Sequence, residues 1–213
     1  MIQLTPAVKN LLIINVVVFI ILQLPLGQML YSYFLLNKTG LIFSLPEGLD
    51  GLFQPVQLVT YFFNHADIFH ILFNLLALGS IGPMVEYQLG SMRFLKFYLF
   101  TGLFGGILIA LLDPTPNPVL GASVAVFGVL VAFAMIYPRN KLGMFFLPIF
   151  IEARYLVAGL GVLSLVFVIQ DFTGGSGGGN ISHFGHLAGM VAAILFFFLE
   201  KHVPFFRNWP PVR

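Results

Sequence analysis

Long apolar stretches fill the chain, and polar residues interrupt them at intervals that match the thickness of a lipid bilayer. A hydrocarbon core takes about 20 apolar residues per helix. On that ruler, the runs near Asn10–Leu26, Ile68–Gln88, Phe94–Leu112, Leu120–Tyr137, Tyr155–Phe172 and Ser182–Glu200 predict six transmembrane helices. No small-residue cleavage site follows the first run, so that helix is expected to be retained. The segment from about Gly27 to Asp67 is apolar and aromatic but broken by Gly and Pro, which predicts an element lying on or dipping into the outer interface. Gly174 to Asn180 has the composition of a mobile outer loop directly before the sixth helix. No repeat or linker divides the pattern. The expected fold class is therefore all-α: one membrane domain over residues 1–213, a six-helix bundle with an interfacial first loop.

Composition agrees. The chain is 59% hydrophobic and 8% charged, against roughly 25% charge in ordinary soluble domains. Its 10 basic and 8 acidic residues are too few to cover a water-facing surface. The absence of cysteine excludes disulfides, thiolate metal sites and a cysteine nucleophile. A net charge of +2 could point to an acidic partner. In the six-helix topology, however, Lys9, Arg93, Lys96, Arg139, Lys141, Arg154, Lys201, Arg207 and Arg213 share one side and only Lys38 lies opposite. That asymmetry predicts both termini in the cytoplasm and no nucleic-acid partner.

Polar side chains at membrane depth must find partners or line a wet cavity. They concentrate on the second, fourth and sixth predicted helices, which run parallel. Ser123 lies 16 residues before Arg139, His186 15 before Lys201, and His70 16 before Glu86. At about 1.5 Å per residue, all three share one level, roughly 22–24 Å above the inner boundary of a core about 30 Å thick. That level is tolerable only beside water.

Each of these residues also fits a simpler role. Ser123, in Gly121-Ala122-Ser123 after a proline-rich turn, could merely cap its helix; the same helix N-terminus offers backbone N–H groups to an oxyanion. His186 could be an interhelical hydrogen-bonding residue. Gly189 and Ala193 on its face would let its helix approach Ser123 closely enough for a general base. His70 and Asn74, four apart on one helix face, could be polar contacts between helices or oxyanion donors. Their coincidence at one depth favours hydrolytic chemistry. No carboxylate shares that level, because Asp113 and Asp171 fall in outer loops and Glu86 at an inner end, so a Ser–His dyad is the arrangement allowed. His65 and His183 complete the histidines, but without a His-Glu-x-x-His helix or a carboxylate at the right depth no metal site is expected.

These residues resemble the rhomboid family of intramembrane serine proteases over nearly the whole chain. His70-Ile-Leu-Phe-Asn74 is similar to the family's His-x-x-x-Asn, Glu86-Tyr-Gln-Leu-Gly90-Ser91 to its Glu-x-x-x-Gly-Ser, Gly121-Ala-Ser123 to its nucleophile motif, and His186-Leu-Ala-Gly189 to its histidine motif. The resemblance implies Ser123 as nucleophile and His186 as general base and acid. It implies an oxyanion hole from the Ser123 N–H with His70 and Asn74, and Phe127 packed on the histidine. It further implies a bacterial-type protease of the inner membrane that needs no cofactor or metal. Its partners would be transmembrane protein substrates within the bilayer, and its oligomeric state is left open. The Gly174–Asn180 loop would cap the site. Two departures stand out: Val124 replaces the usual Gly, and the first loop lacks the family's Trp-Arg pair. Val124 is expected to narrow the cleft or restrict the oxyanion hole, altering specificity or rate. A client-binding pseudoprotease and a small-solute transporter are the alternatives; no inverted repeat favours the latter.

Overall fold

The computed structural model of the chain describes residues 3–37, 53–115, 117–144, 147–173 and 181–202. Among these residues, five helices are long and apolar enough to cross a membrane: α1 (Pro6–Gln23), α4 (Ile68–Leu89), α5 (Ser91–Leu112), α7 (Ala153–Phe172) and α8 (His183–His202). A shorter apolar helix, α6 (Ser123–Ile136), stands at the centre, packed against α4, α5, α7 and α8. The chain is thus an integral membrane protein with an all-α bundle of the predicted kind.

Local chemistry moves two predicted boundaries. α1 opens at Pro6, whose fixed φ suits a helix's first turn. It stops at Leu24, which is extended as residues before proline prefer, and Pro25 begins the short helix α2 (Pro25–Leu30). α6 starts at Ser123, three residues later than Leu120, because the preceding backbone is bonded elsewhere. Val119 exchanges two hydrogen bonds with Leu36, and the Gly121 N–H donates to the Tyr61 carbonyl. At 14 residues, or about 21 Å, α6 cannot cross the core alone.

The described part of the first loop folds as a unit beside this gap. It comprises α2, a 3₁₀ turn at Tyr31–Phe34, the helix α3 (Gln57–Thr60) and a second 3₁₀ turn at Tyr61–Phe63. The buried Gln57 side chain accepts from the Gln54 and Asn37 N–H groups and donates to the Ser32 carbonyl. Tyr61 donates to the Gly102 carbonyl at 2.8 Å, seating the loop on α5.

Between α6 and α7 runs an element the hydropathy pattern did not predict, an antiparallel hairpin of β1 (Lys141–Met144) and β2 (Leu147–Glu152). At the same end, the buried Glu86 carboxylate of α4 receives the Ala7 and Val8 N–H groups at 2.9 and 2.8 Å, and the Thr5 and Ser91 hydroxyls at 2.5 Å. One side chain thereby caps α1 and fixes the α4–α5 corner. Arg93 pairs with Glu200, joining α5 to α8.

Lipid tails give helices little hydrophobic reason to associate, so close packing through small residues holds such bundles together. A Cβ on Gly189 would lie 1.9 Å from the Val124 carbonyl oxygen, so α8 touches the backbone of α6 only because that residue is glycine. The outward faces are apolar: Val17 and Ile20 on α1, Val162 and Val166 on α7, and Val191 and Ile194 on α8 are all exposed. α7 packs on α6 and α8 and is not packed against α4.

Candidate active site

A cavity of about 770 Å³ opens among α4, α6, α8 and the outer end of α7. Ser123, His186, His70, Asn74 and Phe127 all line it. Five residues singled out from sequence are therefore brought to one place.

Ser123 is the first residue of α6, and among the described residues its N–H has no hydrogen-bond partner. Gly121 has φ +117°, a conformation that strains residues with a Cβ. A Cβ there would also lie 2.7 Å from His70 Nε2 and 3.8 Å from Ser123 Oγ. Gly121 thus supplies both the turn into α6 and the space that lets the histidine come up beside the serine.

His70 is held from three sides. Asp67, extended at the N-cap of α4, accepts from the Phe69 and His70 N–H groups at 2.8 and 2.9 Å. His70 Nδ1 accepts from the Ala66 N–H at 3.4 Å, which leaves the ring's proton on Nε2, the atom facing Gly121 and Ser123. The ring also meets His65 edge to face, with centroids 5.1 Å apart. Asn74, mostly buried, donates one amide hydrogen to the His70 carbonyl at 2.8 Å and keeps a second donor for the cavity.

His186 stacks flat on Phe127, with centroids 3.9 Å apart and planes within 7°. His183, one turn earlier, meets His186 at 85° and stacks on Phe167 of α7 at 4.4 Å. The rings form a continuous row from α6 through α8 to α7. Gly189 supplies the α6–α8 contact that brings His186 to the wall shared with Ser123. The side chains of Ser123 and His186 face this cavity without a hydrogen bond between them.

Val124 lies elsewhere. It is buried, and its two γ methyls fill notches at Gly105 of α5 and Gly185 of α8, where an added Cβ would come within 2.5 and 3.3 Å of them. It does not line the cavity. The expectation that it narrows the cleft fails because its methyls are taken up between α5 and α8, away from the cavity that Ser123 lines.

Sequence reasoning left two neighbours without a role: His183, whose signal was its spacing three before His186, and His65, whose Nε2 accepts the Ala122 N–H. Asp67, Asp113 and Asp171 give the cavity an acidic rim, consistent with their expected outer positions. The Gly174–Asn180 cap falls outside the described residues, as do residues 38–52 of the first loop.

A helical membrane protein whose central short helix presents a serine to a cavity shared with two histidines and an asparagine defines a narrow class. The chain belongs to the rhomboid family, matching the Rhomboid domain over residues 52–202. It is 30% identical over 205 residues to Rhomboid protein 1, mitochondrial, of Saccharomyces cerevisiae, covering 92% of this chain and 54% of that protein. To Rhomboid protease GluP of Bacillus subtilis it is 33% identical over 135 residues, 63% of this chain and 24% of GluP. To Rhomboid-like protease 3 of Toxoplasma gondii it is 26% identical over 159 residues, 74% and 56% of the two chains. The chain thus spans about half the length of the yeast and Toxoplasma relatives and about a quarter of GluP.

Proposed function

We propose that this protein is an intramembrane serine endopeptidase that hydrolyses peptide bonds in or near transmembrane segments of other membrane proteins. The observation that carries the proposal is the convergence of Ser123, His186, His70 and Asn74 on one cavity. Membership of a family containing named proteases supports it.

In this reading Ser123 Oγ attacks the carbonyl carbon of the scissile bond while His186 takes its proton. The side-chain bond absent here forms as Ser123 rotates toward substrate, since catalytic hydrogen bonds tighten in the Michaelis complex. The oxyanion is met by the Ser123 N–H, the Nε2–H of His70 and the free amide hydrogen of Asn74. His186 then protonates the departing amine as the C–N bond breaks, and water, activated by the same imidazole, hydrolyses the acyl-enzyme. Phe127 holds the imidazole in plane. Substrate enters from the lipid between α4 and α7, which do not pack together; Phe73 of α4 lines the cavity while remaining half exposed to the bilayer. A bacterial cytoplasmic membrane with both termini inside is the proposed setting, and the basic asymmetry supports the orientation.

The client-binding alternative drew its support from Val124, which does not line the cavity. The test is cleavage of a transmembrane substrate in liposomes by wild type, Ser123→Ala and His186→Ala, alongside labelling by a fluorophosphonate. Cleavage and labelling by wild type, abolished by both substitutions, is expected. A folded wild type that neither cuts nor labels would overturn the proposal.

A further inference from the structure

We infer that His65 is a positioning residue for the nucleophile, fixing the backbone immediately before Ser123 through a hydrogen bond from the Ala122 N–H to its Nε2. The inference rests on the protease reading above and deepens it.

The loop into α6 is anchored at three successive points, each from the first loop. Leu36 holds Val119 in a two-bond bridge, the Tyr61 carbonyl accepts from the Gly121 N–H at 2.9 Å, and His65 Nε2 accepts from the Ala122 N–H at 3.4 Å. Only the last anchor is a side chain, and it is the nearest to Ser123. Ala122 and His65 are each 1% exposed, so no water replaces that acceptor. Leaving a buried N–H unpaired is costly enough to displace a loop instead.

The tautomer is consistent. With Nε2 accepting from the Ala122 N–H, the neutral ring carries its proton on Nδ1. Burial, then the neighbouring His70, push the His65 pKa down to about 3, so Nε2 stays an acceptor across the physiological range. The same ring abuts His70 edge to face, so one side chain sets both the serine's approach and the wall behind an oxyanion donor. Asn64 in turn donates to the Phe34 carbonyl at 3.1 Å, fixing the turn that presents His65. A histidine that only filled the core would need volume alone; this one supplies an acceptor one residue before the reacting group.

The experiment compares His65→Gln with His65→Met, side chains of similar length and flexibility of which only Gln carries a strong acceptor near the Nε2 position. For the full chain in detergent, three quantities are measured: kcat and KM on a transmembrane substrate, the fluorophosphonate labelling rate, and the melting temperature. His65→Met is expected to lower kcat and labelling by roughly 10- to 100-fold with KM nearly unchanged, because sub-ångström placement of reacting groups governs the chemical step. His65→Gln should recover most of both. Wild-type rates in the Met variant, or equal losses in both variants that track their melting temperatures, would overturn the inference. If His65→Met does not fold, a folded His65→Gln with tenfold or greater loss of kcat overturns it, and one near wild type supports it. A wild type that neither cuts nor labels would instead bring down the functional reading, and the inference with it.

Discussion

Val124 shows how the side chain next to a proposed nucleophile can serve the scaffold alone. Its methyls occupy notches at Gly105 and Gly185, so Val124→Gly removes them from a site shared by three helices and adds a glycine to a helix. The expected loss is on the order of 2–3 kcal/mol, read as a lower melting temperature in detergent. Residue preference at the cleavage site should stay unchanged, because the cavity does not include this position. Gly189→Ala is the harsher change: its Cβ would meet the Val124 carbonyl oxygen at 1.9 Å, forcing α8 from α6. It should abolish cleavage even where detergent-solubilised protein remains helical by circular dichroism. His65 adds a pH dependence. Its folded pKa near 3 lies below the ordinary 6.5, so the unfolded chain binds the extra proton and stability falls as pH drops through that window. Asp67 opposes the shift and His70 reinforces it. His65→Gln should therefore shrink the fall in melting temperature between neutral and mildly acidic pH.

Among the elements, the corner built on Glu86 makes the most exposed claim. Four donors from two segments converge on one buried carboxylate, two of them the first N–H groups of α1. Glu86→Ala strands all four and should cost on the order of 3 kcal/mol or more, with protease nicking near residue 24 as α1 comes loose. The sequence placed Glu86 at an inner helix end and matched it to a motif, but nothing in it showed that the donors would come from residues 5–8. The same division holds elsewhere. Helix spans were legible because hydrocarbon thickness imposes a length, and the common depth of His70, Ser123 and His186 was legible because a helix has a fixed rise. Where α6 begins was not, since residues 119–122 are bonded to Leu36, Tyr61 and His65, positions 57 to 83 residues away in the chain. The direction of Val124 and the β1–β2 hairpin were hidden for a like reason: each is decided by partners distant in sequence or by pairing that hydropathy does not encode.

For the whole molecule, the absence of cysteine turns the native chain into its own labelling background. Single cysteines at Lys9 and Asn140, both exposed, should be shielded from a membrane-impermeant maleimide added outside cells, whereas one at Ile181 should label. Labelling at position 140 with protection at 181 would refute the orientation drawn from the basic residues. The same background tests whether the cavity is wet, which the proposed hydrolysis requires. Ala77 lines it seven residues beyond His70, about 10 Å deeper along α4. A thiol reacts with a charged methanethiosulfonate only as thiolate, and a thiolate forms only where water reaches. Cysteine at Ala77 should therefore react from the outer side, while cysteines at Leu72 and Val166, exposed to lipid rather than to the cavity, should not. If position 77 is as inert as the lipid-facing pair, water does not reach that depth of α4. The proposed acyl-enzyme would then have to be hydrolysed by water confined to the level of Ser123 and His186, near the outer mouth.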